Sequence, residues 1–114
     1  LLSVMLQDKN EAADVPVIFN LGNNNALTRE QVVAIFEAVK DQPRIIVVNT
    51  AVPRPWREGN NALIAEVASQ YAKVIVVDWN SISEGHPEYF APDGVHLVPT
   101  GVNVYVAEIV KHLD

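Results

Sequence analysis

Asp93 and His96 stand three residues apart in the run Ala91-Pro92-Asp93-Gly94-Val95-His96-Leu97. An Asp at this spacing, in a Pro/Gly loop ahead of a terminal helix, can orient an imidazole as a general base. The carboxylate accepts from one ring nitrogen, and the other nitrogen is left to take a proton from a nucleophile. Upstream, a short apolar run ends in Leu21-Gly22-Asn23-Asn24. A carboxamide there can donate an N–H to a developing oxyanion, and Asn24 is the candidate. Taken alone, Gly and Asn favour a tight turn. With Asp93 and His96 at the same edge, the chemical reading is the stronger one. No Ser or Cys upstream has a nucleophile's setting. The chain holds a base, its orienter and part of an oxyanion hole, and lacks the attacking group.

The remaining candidates surround that pair. Trp56, flanked by Arg54 and Arg57, is either a sugar-stacking or acyl-binding wall or a cover for the core; both readings stay open. Arg54 and Asn23 are further candidates for substrate contact. His86, in Gly85-His86-Pro87, reads as a rim residue. His112, in the last helical turn, complements the helix dipole. The three histidines have no metal-ligand spacing, so neither a metal nor another cofactor is expected. Asp78 is expected to satisfy loop N–H groups, and Asn61 to tie the Pro-rich loop.

The elements that must position these groups follow from periodicity. Residues 1–10 read as the end of an amphipathic helix. Residues 15–21 form a buried strand rich in β-branched residues. Thr28 and Gln31 form a capping box for a helix running to about residue 40, and Pro43 breaks it. Residues 44–50 form a second buried strand, and the Pro-rich run 52–56 excludes regular structure. A helix over about 60–71, a strand over 74–78, a long loop over 80–100 and a helix over about 101–113 complete the chain. Strands apolar on both faces, alternating with helices, predict a parallel sheet covered by helices. In such sheets ligands bind beyond the carboxyl ends of the strands. The loops at residues 22–25, 50–56 and 78–96 all leave those ends.

Composition sets the outer bounds. The 114 residues fit one small domain. Hydrophobic content of 49% and charged content of 19% describe a globular chain. A net charge of −6 and scattered Lys and Arg argue against a nucleic-acid partner. No apolar run reaches transmembrane length, and no signal-peptide pattern occurs. The lack of cysteine excludes disulfides, thiolate sites and a Cys nucleophile.

In this order, these residues resemble the SGNH hydrolase superfamily. Within it they are similar to the extracellular catalytic domain of peptidoglycan O-acetyltransferases, which follows an acyltransferase-3 membrane domain. Gly22-Asn23-Asn24 matches the family's Gly-x-Asn block, and Asp93 to His96 its Asp-x-x-His block. Val48-Asn49-Thr50-Ala51-Val52-Pro53-Arg54-Pro55-Trp56 matches a longer and more specific run, and Gly85-His86-Pro87-Glu88-Tyr89-Phe90 extends it. The Gly-Asp-Ser block that supplies the family's nucleophile, and the block with its oxyanion Gly, have no counterpart. Ser3-Val4-Met5-Leu6 is similar to the residues that follow the nucleophile, but the preceding Gly-Asp is lacking. Residues 1–10 align more simply with the helix before the Gly-x-Asn strand. Position 23 is Asn where relatives have Thr, and position 25 is Asn where they often have Gly.

The resemblance implies a three-layer α/β/α fold with a parallel sheet, SGNH- or flavodoxin-like and lacking its first strands. Residues 1–114 would be the C-terminal portion of one domain. It implies a serine-dependent O-acyltransferase or esterase working with an acetyl donor and a cell-wall glycan. The parent protein would sit at the extracellular face of the membrane, fused to an integral membrane acyltransferase domain. His96 would be the base, Asp93 its orienter and Asn24 the oxyanion donor. Without its nucleophile the chain alone is expected to be inactive. The alternative is a non-catalytic fragment or a degenerate glycan-binding module. With no neighbour upstream, the strand at 15–21 is expected to be an open edge: either the chain forms a homo-oligomer through it, or it is one piece of a protein whose remaining strands lie in another segment.

Overall fold

The computed structural model of the chain describes residues 3–5 and 16–113. Strand β1 is Ser3–Met5 and β2 is Val17–Asn20. Helix α1 (Arg29–Val39) leads to β3 (Ile45–Val48), and α2 (Arg57–Ala68) leads to β4 (Val74–Val77). A short helix α3 (Trp79–Ser83), a 3-10 turn (Pro87–Tyr89) and α4 (Pro99–Val110) follow. The sheet order is β1-β2-β3-β4. β2, β3 and β4 run parallel, with Val17 opposite Ile45 and Ile45 opposite Val74.

The alternation of side chains along the strands sorts the core into two layers. Val17, Phe19, Ile45 and Val47 point to one face, where Val32, Phe36 and Val39 of α1 and Ile64 and Val67 of α2 cover them. Ile46, Val48 and Val77 point to the other, against Trp79 of α3 and Val104, Tyr105 and Ile109 of α4. The result is the three-layer α/β/α arrangement. β3, buried at every position, is an interior strand. The Thr28–Gln31 capping box starts α1: Gln31 N–H donates to Thr28 Oγ1 (3.1 Å) and Thr28 N–H to Gln31 Oε1 (2.9 Å).

Two expectations need correction. The strand at 15–21 is not an open edge. β1 pairs antiparallel along it, with Ser3 opposite Asn20 and Met5 opposite Ile18. Residues 3–5 are therefore strand and not helix; the rest of the helix expected over 1–10 lies outside the described residues. The physical cause is the row of backbone N–H and C=O groups on the outer side of β2, which a nearby extended segment satisfies. The homo-oligomer expected through this strand loses its motive. The second correction is smaller. The loop expected over 80–100 carries α3 and the 3-10 turn, and α2 begins at Arg57 directly behind the Pro-rich run.

Candidate active site

Because β2, β3 and β4 are parallel, their carboxyl ends open onto one edge, and three loops leave it. The last of these carries Asp93 and His96. Gly94 N–H donates to Ala91 C=O (2.9 Å) and closes a turn, and Ala91 N–H donates to His96 C=O (2.8 Å). Phe90 and Leu97 bridge the base of this hairpin. Gly94 has φ +72°, and a Cβ there would come within 3.2 Å of Pro53 Cγ, so only glycine fits the turn without strain. Asp93 has two tasks in it. Its Oδ1 accepts from the backbone N–H groups of Val95 (2.8 Å) and His96 (3.0 Å). Its Oδ2 lies 2.5 Å from His96 Nδ1. One carboxylate thus shapes the turn and holds the imidazole. With the Nδ1 proton directed at Asp93, Nε2 is left as the acceptor. The His96 side chain is 81% exposed, so its ring is open to solvent.

The three bonds to Asp93 hold its carboxyl down at about 2, the imidazole contributing most and the two backbone donors the rest. The sign of the linkage follows. A group whose folded value lies below its unfolded value stabilises the fold at higher pH. The turn's contribution is complete above about pH 4 and is lost as pH falls through about 2. Carbon-detected NMR titration of the Asp93 carboxyl should give a midpoint near 2. A midpoint at the ordinary 3.8 would show that the bonds do not persist in solution.

The first loop is held by carboxamides that imitate peptide groups. Asn60, buried on α2, donates through Nδ2 to Gly22 C=O (3.0 Å) and Asn25 C=O (2.9 Å), and its Oδ1 accepts from Leu27 N–H (2.8 Å). All of its hydrogen-bonding capacity but one acceptor lone pair goes into this loop. Gly22, at φ +102°, gives the loop its sharp exit from β2 and packs against Asn60 Cβ and Thr50 Cγ2, where an added Cβ would lie 3.3 Å from each. Asn61 does the same for the second loop, donating to Thr50 C=O (2.8 Å) and accepting from Thr50 N–H (3.0 Å). Asn49 joins the second loop to the third: it donates to Asp78 Oδ1 (2.9 Å) and accepts from Asn80 N–H (3.0 Å). Asp78 also caps α3 through Ser81.

The candidate residues divide accordingly. Asn23 donates to Asn20 Oδ1 (2.7 Å), and Asn20 donates to the Tyr105 hydroxyl (3.0 Å). Asn23 also lines a cavity of about 130 Å³ with Val95 and Leu97, the neighbours of His96. Asn24 is exposed next to it, and among the described residues its side chain has no hydrogen-bond partner. Trp56 Nε1 donates to Asn23 C=O (3.3 Å), so the indole pins the first loop from above while remaining half-buried. Arg54 lies exposed on the Pro-rich run, its guanidinium bonded to Pro53 C=O (3.1 Å). His86 stands apart from His96, with Nδ1 2.8 Å from Glu88 Oε2 and its ring stacked on Tyr89 at 4.6 Å. Among the described residues no three His, Asp or Glu side chains come together as a metal site requires. The residues that sequence reasoning passed over are Asn20, Asn49, Asn60 and Tyr105. The one available signal was the Asn60-Asn61 pair inside a helix, where asparagine is a poor former and needs a reason to be.

Comparison with known proteins adds relatives to this geometry. The chain is 46% identical over 98 residues to peptidoglycan O-acetyltransferase OatA of Listeria monocytogenes, covering 86% of the chain and 15% of that protein. It is 40% identical over 95 residues to YrhL of Bacillus subtilis, named as a candidate peptidoglycan O-acetyltransferase, covering 83% of the chain and 15% of the relative. A candidate O-acetyltransferase of Staphylococcus aureus is 41% identical over 97 residues, 85% of the chain and 16% of the relative. The chain thus spans only about 15% of the length of these relatives. No family model matches it. Among the described residues no helix is long and apolar enough to cross a membrane.

Proposed function

We propose that this chain is the C-terminal portion of an SGNH-type domain in a serine-dependent O-acyltransferase. The domain would move an acetyl group onto, or off, a hydroxyl of a cell-wall glycan. The whole protein would stand at the extracellular face of the membrane, joined to an integral membrane acyltransferase domain. The observation that carries the reading is the imidazole of His96, held through Nδ1 by Asp93 with Nε2 left open, at the sheet edge where the Gly22-Asn23-Asn24 loop is clamped. The names of the relatives support the acyl group and the glycan.

The chemistry runs in two balanced halves. A serine hydroxyl from the rest of the domain attacks the donor's acetyl carbonyl while His96 Nε2 takes its proton. The tetrahedral intermediate's oxygen is met by the Asn24 carboxamide, whose N–H groups have no competing partner in the described structure. Collapse expels the donor's alcohol, which receives the proton from Nε2, and leaves an acetyl-serine. A sugar hydroxyl, or water, then gives its proton to Nε2 and attacks the ester, and collapse expels the serine oxygen, which takes that proton back from Nε2. Asp93 does not take the proton; it holds the tautomer and stabilises the imidazolium. Arg54, Trp56, Asn23 and His86 flank the route by which substrate would arrive. For Asn23 and Trp56 this role is indirect, because their bonds hold the loop that carries Asn24.

A chromogenic acetyl ester tests this reading. The 114-residue chain should turn it over no faster than free imidazole, and a longer protein that includes a Gly-Asp-Ser segment should be active. Because β1 sets Ser3 opposite Asn20 at this same edge, Ser3→Ala is the control. Activity of the chain alone that vanished in Ser3→Ala would overturn the assignment of the nucleophile to another segment. An inactive longer protein would favour the glycan-binding alternative.

A further inference from the structure

A second cleft, of about 380 Å³, shares Ala51 and Phe90 with the small cavity that Val95 and Leu97 line. Its walls come from two elements: Arg57 and Glu58 in the first turn of α2, and Asn80, Glu84 and His86 around α3. We propose that this cleft receives one neutral pyranose ring of the glycan acceptor, with Arg57, Glu84 and His86 as its hydrogen-bonding groups. The ligand class rests on the acetyl-transfer reading above; the site does not.

Three observations carry the assignment. First, the cleft gathers polar groups with no competing partner: among the described residues Arg57, Glu58 and Glu84 line it and their side chains enter no hydrogen bond or ion pair. Second, His86 is held ready. Glu88 fixes Nδ1 and Tyr89 stacks on the ring, so Nε2 is presented in a set direction with little ordering left to do on binding. Third, the lining fits a sugar better than its competitors. Planar guanidinium, carboxylate, amide and imidazole groups match hydroxyls that both donate and accept. Pro53, Pro87 and Phe90 offer apolar surface to the C–H face of a ring. An anion would meet two carboxylates for one guanidinium, and an apolar ligand would leave all of these charges unpaired. The volume lies within the range of small-ligand sites. Since Gly94 is both a wall of the cleft and the residue after Asp93, a ring seated here has its edge beside the turn that carries His96.

Titration of the 114-residue chain with tetra-N-acetylchitotetraose, followed by heteronuclear NMR, tests the proposal without any need for turnover. Saturable shifts are expected at Arg57, Glu84, His86 and Gly94. Arg57→Ala and the isosteric Glu84→Gln should each weaken binding about 10-fold, with the Val95 and His96 amide signals unmoved in the free variants as the check on folding. Absence of saturable shifts at these residues, or the same affinity in wild type and both folded variants, would overturn the site. Saccharide binding by a protein whose longer form fails to turn over acetyl esters would leave the site standing and remove the acyl-transfer reading; the reverse pattern would do the opposite.

Discussion

Replacing His96 with alanine in a longer, nucleophile-bearing form of the protein is expected to lower kcat for acetyl transfer by about 10⁴-fold or more, with little change in KM. The size follows from what the residue does. Without Nε2 the serine must lose its proton to water, and the departing alcohol must leave without a proton donor. What remains is the oxyanion donor and binding. Asp93→Asn should fall nearly as far, about 10⁴-fold, because an amide cannot hold the Nδ1–H tautomer or stabilise the imidazolium. It should also loosen the turn, since Asp93 Oδ1 accepts from Val95 and His96 N–H. The two defects separate experimentally. The double variant should be hardly slower than His96→Ala alone, because the residues act as one unit. Additive losses would mean that Asp93 works through something other than His96.

The largest effect on folding is expected at Asn60, a residue with no chemistry of its own. In Asn60→Asp an oxygen replaces the Nδ2 that donates to Gly22 and Asn25 C=O. Two hydrogen bonds become two repulsive contacts in a site only 2% exposed, and burial takes the new carboxylate out of water. The expected loss is about 3–5 kcal/mol, a large share of the roughly 5–15 kcal/mol that holds a domain together. The sign with pH is distinctive. The buried acid's folded value would be raised, so protonation restores one donor and stability should recover as pH falls. Denaturant melts of both proteins at a series of pH values check this. An Asn60→Asp variant within 1 kcal/mol of wild type, or one that weakens further in acid, would show that the Gly22–Leu27 loop is held in some other way.

What could be read in the sequence, and what could not, follows the range of each interaction. Ile45-Ile46-Val47-Val48 announces a buried strand because burial on both faces leaves no room for polar residues. Thr28 and Gln31 mark a helix start because a capping box lies within four residues. The Asp93 turn is similarly local, with donors two and three residues away. The clamps are not local. Asn60 reaches back 38 residues to Gly22, and Asn20 meets Tyr105 across 85, and nothing in composition or period signals which partner such a residue finds. Trp56 shows the same limit. Its type is compatible with a sugar platform or a core cover, and only its bond to Asn23 C=O reveals a third task, fixing the first loop. α3 was hidden for a different reason. Five residues are too few to show a helical period, and its start depends on Asp78, itself held by Asn49. β1 is three residues long and pairs because β2 offers an edge, which is a property of the partner.

The central claim is that His96 is the base that makes a serine on another segment take up an acetyl group. Intact-mass analysis of the longer protein, quenched within its first turnovers of an acetyl ester, tests this most directly. The account expects a species heavier by one acetyl group, mapped by peptide analysis to a serine outside these 114 residues and absent from His96→Ala under the same conditions. An acetyl group carried equally well by His96→Ala, or found on no serine at all, would contradict it.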